Sequence, residues 1–169
     1  GNRTTSYQIA KRAMDIVGAS LILVALSPIM LFTLIVLAIT TKGKPFYSHH
    51  RVGYRGKQFR MWKFRTMRLD ADQIKHTVTN EADGPVFKNR QDPRITKFGR
   101  YLRKFSIDET PQLFSVLAGE MSLVGPRPLV ATEMAKVEPW QYRRLAVMPG
   151  LTCWRSMYPR QSSRKRSMS

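Results

Sequence analysis

Asp108 and Glu109 stand side by side in a chain where 29 lysines and arginines face only 11 aspartates and glutamates. Near phosphate, adjacent carboxylates can do two kinds of work: they can hold a Mg2+ ion that offsets phosphate charge, or attack phosphorus as a nucleophile. On the dipeptide alone a solvated acidic pair is the ordinary reading, but its setting argues for more. A basic stretch precedes the pair and a helix start follows it. Thr110 can cap that helix and Pro111 suits its first position, where a missing N–H costs nothing. The two acids then lie beside a positive helix end. A start capped by Ser106, with Glu109 closing a capping box, would put Pro111 one turn inside and cost a hydrogen bond, so the Thr110 start is preferred.

The cations that could serve such a pair are spread along the chain. Lys63 and Arg65 are two apart, so on a strand they share a face and could grip one phosphate together, although two solvated charges on a strand edge would look the same. Arg127 stands between Pro126 and Pro128, which stiffen the backbone and present its guanidinium from a rigid turn suited to bidentate phosphate recognition. There is no Walker loop and no dinucleotide fingerprint, so ATP hydrolysis and NAD chemistry have no support. His49, His50 and His76 lack metal-ligand spacing. The single cysteine, Cys153, excludes an intrachain disulfide, argues against a cysteine zinc site and is read as a buried or idle thiol. The net charge of +18 favours polyanionic partners, whether nucleic acid, anionic lipid or phosphate-bearing substrate, without choosing among them.

Several elements must position these groups. Residues 16–39 carry no charge, a run that as a helix exceeds the roughly 20 residues needed to cross a bilayer. It is too long for a secretory signal and has no small-residue cleavage site, and soluble core helices are seldom apolar all round at this length. Cations flank it on both sides: Lys11 and Arg12 before, Lys42, Lys44, Arg51 and Arg55 after. Positive residues prefer the cytoplasmic side, so a simple crossing is disfavoured. Pro28 at its centre removes a backbone hydrogen bond, and Ser27 can help satisfy the freed carbonyl. The expectation is a re-entrant helix–break–helix with both ends cytoplasmic; a kinked full crossing is the alternative.

Beyond it, residues 45–52 and 57–67 read as a hairpin turned by Gly53, Tyr54, Arg55 and Gly56. The same Gly-x-x-Gly is a weak match to nucleotide-clamping loops. Residues 68–76 read as a short helix and 77–92 as a polar loop. Phe98, Tyr101, Leu102 and Phe105 recur at helical spacing beside Lys97, Arg100, Arg103 and Lys104, an amphipathic basic helix that could face either a core or a lipid surface. Leu113, Val116 and Leu117 form an apolar stripe ending at Gly119, and residues 121–124 read as a short extended segment.

Taken together, these motifs resemble the bacterial sugar transferase family, the monotopic polyprenyl-phosphate phosphoglycosyl transferases. The resemblance runs through Lys11, Arg12, Asp15, Ser27 and Pro28, then Arg51, Val52, Gly53 and Gly56. It continues through Lys63, Phe64, Arg65, Thr66 and Met67, then Asp92, Pro93, Arg94, Ile95, Thr96, Gly99 and Arg100. It is densest across Ser106, Ile107, Asp108, Glu109, Thr110, Pro111, Gln112 and Leu113, and from Met121 through Gly125, Pro126, Arg127 and Pro128. It is strongest to the members that load hexose-1-phosphate on undecaprenyl phosphate to begin exopolysaccharide, capsule or O-antigen synthesis.

The resemblance implies an α+β, mainly helical fold: a re-entrant membrane helix over about 12–40, then a small cytoplasmic catalytic part over 41–150 with interfacial helices and a β-hairpin. It implies that Asp108 attacks the sugar-bearing phosphorus of a nucleoside diphosphate sugar and that Glu109 binds Mg2+. Arg127 with Pro126 and Pro128 would hold the donor phosphates, Gln112 would join the substrate site, and Lys63, Arg65 and Arg103 are candidates for the lipid phosphate. It further implies the bacterial inner membrane, a cytoplasmic active face and contact with anionic lipids, with a homo-oligomer left open. Residues 151–169 depart from the family pattern, because Cys153 and Trp154 lead into an Arg- and Ser-rich tail expected to be disordered. The start at Gly1 suggests a piece of a longer protein. A nucleic-acid-binding module and an inactive membrane-bound interaction protein are the competing readings, the first opposed by the uncharged run.

Overall fold

The computed structural model describes residues 2–71, 92–135, 137 and 139–152. The helix and loop expected over 68–92, His76, Cys153 and the tail therefore lie mainly or wholly outside the described residues. What is seen is mainly helical with one small hairpin, as expected, plus a short parallel strand pair.

The uncharged run is part of α1, a single helix Asn2–Thr40 of 39 residues with Pro28 inside it. Here the expectation of two helices separated by a non-helical break is corrected: the helix runs on through Ser27 and Pro28. The physical reason is local. Pro28 has no N–H to give the carbonyl of Val24 four residues back, and Ser27 Oγ donates to that same carbonyl at 2.8 Å. Among the described residues α1 is the one helix long and apolar enough to cross a membrane, and only 11% of its most apolar window is buried. A soluble core helix would be mostly covered; Leu21, Val24, Leu31 and Phe32 instead stand open.

One stripe of α1 does pack on the rest of the chain. Ala19 and Leu23 join Phe59, Met61, Leu113, Val116 and Met121, whereas Met30, Leu34 and Leu37 join Phe64, Leu102, Phe98 and Ile107. Steps of three, four and seven residues keep these positions on one helix face. Polar pins hold the N-terminal half: Arg12 Nη2 donates to the Leu117 carbonyl at 2.7 Å, and Asp15 accepts from Ser122 Oγ at 3.0 Å and from the Leu123 amide at 3.1 Å.

Strands β1 (Phe46–Val52) and β2 (Gln58–Phe64) pair antiparallel from Phe46↔Phe64 to Val52↔Gln58. Arg55 and Gly56 turn the hairpin with φ of 53° and 77°. Helix α2 spans Lys97–Lys104 and α3 Gln112–Ala118, the latter ending at Gly119 with φ 85°. Strand β3 (Ser122–Val124) pairs in parallel with β4 (Gly150–Thr152). Beside this pair, Gly125 and Gly150 press backbone to backbone and neither leaves room for a Cβ. A short helix α4 (Ala131–Met134) lies between them in sequence.

Candidate active site

The site is built outward from a clamp. The Asp92 carboxylate accepts from Arg94 Nη2 at 2.6 Å, Arg94 Nε at 2.9 Å and the Arg94 amide at 2.9 Å, all of it buried. The arginine holds this carboxyl below the usual range. Backbone bonds from Arg68 N to Arg94 O and from Thr96 N to Thr66 O fasten the turn to the end of β2. Thr96 Oγ1 caps α2 by accepting from the Gly99 amide at 2.9 Å. Gly99 lies so tightly on the Thr66 carbonyl that no side chain would fit.

Helix α2 thus leaves β2 at a fixed angle. Its apolar face divides: Leu102 is buried and Phe98 packs beside it, whereas Tyr101 and Phe105 are both 64% exposed. Arg103, on the neighbouring face, donates from Nε to Thr66 Oγ1 at 2.9 Å. After Phe105 the chain reverses at Ser106, which takes the left-handed conformation with φ 56°. One 3-10 turn, Ile107–Glu109, then carries the two acids into α3. The expected cap at Thr110 does not form, and neither does the alternative at Ser106. Ser106 makes no side-chain cap bond, and Thr110 Oγ1 donates back to the Ile107 carbonyl at 2.8 Å instead of accepting a helix amide. Pro111 still stands at the helix threshold, with φ −60° and α3 beginning one residue later.

The two acids part company. Glu109 is half-exposed and accepts from Lys63 Nζ at 2.6 Å. Asp108 is 7% exposed, and among the described residues no other side chain hydrogen-bonds or ion-pairs with its carboxylate. Burial pushes its pKa up, and the charge of Glu109 adds to this; Lys63 and Arg103 oppose without contact. It is a largely buried carboxylate without a side-chain partner among the described residues, with its own backbone amide and two cations within electrostatic reach.

Arg65 is directed elsewhere than its expected partner Lys63: its Nε donates to the Lys44 carbonyl at 2.8 Å and its Nη2 to the Phe46 carbonyl at 3.1 Å. It lies just past the end of β2, where strand alternation no longer governs direction. Gln112 is buried at the start of α3, and its Nε2 has no hydrogen-bond partner among the described residues. Pro126 and Pro128 are buried with their carbonyls taken, by Gly150 N at 3.0 Å and Arg51 Nη1 at 3.4 Å, and Arg127 between them is exposed. Val52 N donates to Leu129 O at 2.8 Å, bringing the proline turn against the hairpin. On that hairpin His49 feels Arg51, Lys63 and Arg127 together.

Three pairings were beyond sequence reasoning: Asp92 with Arg94, Asp15 with Ser122, and Arg51 with Glu133 at 3.4 Å. The first carried a signal, since an Asp-Pro turn with an arginine two residues on is a local arrangement. The others join residues 107 and 82 positions apart. Among the described residues no cluster of three or more His, Cys, Asp or Glu could hold a metal. Glu109, half-exposed beside Asp108, is the carboxylate that could join a Mg2+ ion, which is often held by one or two carboxylates and completed by substrate phosphates.

Residues 6–168 match the family model described as bacterial sugar transferase. The galactosyl transferase CpsE of Streptococcus agalactiae serotype III is 47% identical over 150 residues, covering 87% of this chain and 33% of the relative. The undecaprenyl-phosphate galactose phosphotransferase of Salmonella typhimurium is 41% identical over 154 residues, covering 87% and 32%. The exopolysaccharide production protein ExoY of Sinorhizobium fredii is 39% identical over 150 residues, covering 85% and 66%. The chain thus spans only 33% and 32% of the first two relatives.

Proposed function

The chain belongs to the bacterial sugar transferase family, and on that premise we propose that it transfers a sugar-1-phosphate from a nucleoside diphosphate sugar to undecaprenyl phosphate through a covalent intermediate on Asp108. The observation that carries this is the state of Asp108, a buried carboxylate that no other side chain pairs with among the described residues, bordered by Lys63 and Arg103. In the first step an Asp108 oxygen bonds to the sugar-bearing phosphorus while the P–O bond to the nucleoside monophosphate breaks, the leaving group taking the electron pair. In the second, an oxygen of undecaprenyl phosphate bonds to the same phosphorus and the Asp108–phosphorus bond breaks, restoring the carboxylate. Lys63, Arg103 and Arg127 gather anions that would otherwise repel one another. Glu109 would hold Mg2+. The ion's contribution when bound is to offset charge on the diphosphate. Family membership lends no support to the nucleic-acid reading.

The setting is a membrane surface, on the cytoplasmic face of the bacterial inner membrane. Both halves of α1 pack against the same catalytic body, Ala19 and Leu23 before Pro28 and Met30, Leu34 and Leu37 after it. A helix crossing the bilayer would place one end on the far side, out of reach of that body. This supports a re-entrant path along one unbroken helix, with both flanks cytoplasmic. The exposed Tyr101 and Phe105, with Lys97, Arg100 and Lys104, would rest among anionic headgroups. Cysteines introduced at positions 8 and 43 should both react from the cytoplasmic side; labelling from opposite sides would exclude the re-entrant path.

The chemistry is tested by incubating the membrane-embedded protein and Mg2+ with sugar nucleotides radiolabelled in the sugar, in the absence of acceptor. Label should remain on the protein and leave as lipid product when undecaprenyl phosphate is added. An Asp108→Asn protein that still acquires the label would refute the assignment.

A further inference from the structure

Tyr47, His49 and Arg51 alternate along one face of β1, opposite Lys63, Met61 and Phe59 of β2. Met61 and Phe59 are core residues, so this is the hairpin's inner face. Both ring nitrogens of His49 are shut off from water without a hydrogen-bond partner, and so is Nε of Arg51. Buried polar atoms are rarely left this way, and those that are call for an explanation. The neighbours do not supply one. Lys63 is committed to Glu109, while Arg51 offers its Nη1 to Pro128 and Glu133. Burial and the charges of Arg51, Lys63 and Arg127 hold the imidazole down at about 4. Near neutral pH it is an uncharged ring with one N–H to give; the charged groups it feels, Arg51, Lys63 and Arg127, are all donors, while Tyr47 on the same strand face can give or accept. What that face lacks is a ligand with several acceptor oxygens.

We propose that His49 is a positioning residue for the donor substrate, giving its ring N–H to a phosphate oxygen of the nucleoside diphosphate sugar in a subsite shared with Arg51 Nε and Arg127. This rests on the transferase reading above and deepens it. The donor brings two phosphates, and only the sugar-bearing one has to reach Asp108. The second needs cations of its own, which Arg51 and Arg127 provide beyond Lys63. The acceptor brings a single phosphate on a long apolar chain, suited to the lipid-facing side formed by α1 and α2.

Ping-pong kinetics separate the two substrates, because kcat/KM for each reports its own half-reaction. With the full chain in lipid nanodiscs, His49→Leu should lower kcat/KM for the donor about tenfold or more, the loss of a hydrogen bond to a charged group. It should leave kcat/KM for undecaprenyl phosphate unchanged. His49→Gln, which keeps an N–H donor, should recover the donor value to within about threefold. The Leu variant should melt no lower than the parent, since it removes unpartnered buried atoms; if it fails to fold, the Gln variant and the resonance measurement carry the test.

In the parent protein labelled with 15N-histidine, inorganic pyrophosphate should shift the His49 ring resonances and undecaprenyl phosphate should not. An unchanged donor kcat/KM in His49→Leu, a loss confined to the acceptor half-reaction, or no response to pyrophosphate would each overturn the proposal. The resonance experiment needs no turnover. A His49 response in a protein that transfers no sugar phosphate would therefore sink the transferase reading while leaving the phosphate subsite standing.

Discussion

Asp92 and Asp108 flank α2, one before its first turn and one after its last, and both are buried, at 3% and 7% exposure. Asp92 has its oxygens filled by Arg94, which donates from two side-chain nitrogens and its own amide, and its pKa is drawn down. Asp108 has no such partner, and burial drives its pKa up. Filled lone pairs make a carboxylate part of the scaffold. A carboxylate that no side chain claims, with cations near but not touching, is available to an electrophile. The first acid anchors the helix that sets the second in place.

The sharpest way to break this contrast is Asp108→Asn, which should lower transfer by about 10³-fold or more, as expected for loss of a nucleophile. The sign of its stability effect is also fixed. A folded pKa raised above the unfolded value means that Asp108 favours the folded state most at low pH, and that this contribution is lost as pH rises through the folded pKa. Asn removes that loss, so melting temperature at neutral pH should hold or rise; a marked fall would show that Asp108 had a structural partner.

Asp92→Asn should do the reverse. It leaves Arg94 buried and undercompensated and should destabilise the fold by about 3 kcal/mol in denaturant titrations. In the parent, the depressed pKa of Asp92 gives stability present above its unfolded pKa and lost as pH falls through the folded value. The variant should therefore show a weaker acid-side loss. Equal acid profiles would remove the pair from the scaffold role.

Lys63→Met reaches Asp108 from a distance. It deletes a charge that holds the Asp108 pKa down and releases Glu109, so the acid limb of covalent labelling, which requires ionised Asp108, should move to higher pH. An acid limb that stays put would mean that Lys63 serves only Glu109. The smallest effect belongs to the hinge between α2 and the acids. Ser106→Gly relieves a left-handed residue and should stabilise by about 0.5 kcal/mol, with transfer within about twofold of the parent; chemical denaturation and initial rates check both.

What could be foreseen follows from how locally each feature is encoded. The uncharged run, the Gly53–Gly56 turn, the α2 periodicity and the stop at Gly119 depend on neighbours within a turn or two, and each appeared where its residues stood. The proline-stiffened setting of Arg127 was legible for the same reason. The cap at Thr110 was not, because its hydroxyl found a nearer acceptor in Ile107. The grip shared by Lys63 and Arg65 failed where β2 ended between them. Asp108's lack of a partner and the cations around His49 arise from crossings of the hairpin, the proline turn and α2. No spacing in the sequence encodes those.

Helix α1 precedes the hairpin and helices α2 and α3 in the chain, and it supplies Ala19 and Leu23 to one core and Leu37 to the other. Its Lys11 reaches Ser122, 111 residues later. With α1 in lipid as proposed, the catalytic body has no finished interior to close around until that helix is already in the bilayer. Membrane insertion then comes before the body can close, with the bilayer holding the template on which it is assembled. A version of the body trimmed of α1 for solubility would meet water with Phe59, Met61, Leu113 and Val116 uncovered on one side. It would be expected to aggregate before it could be assayed.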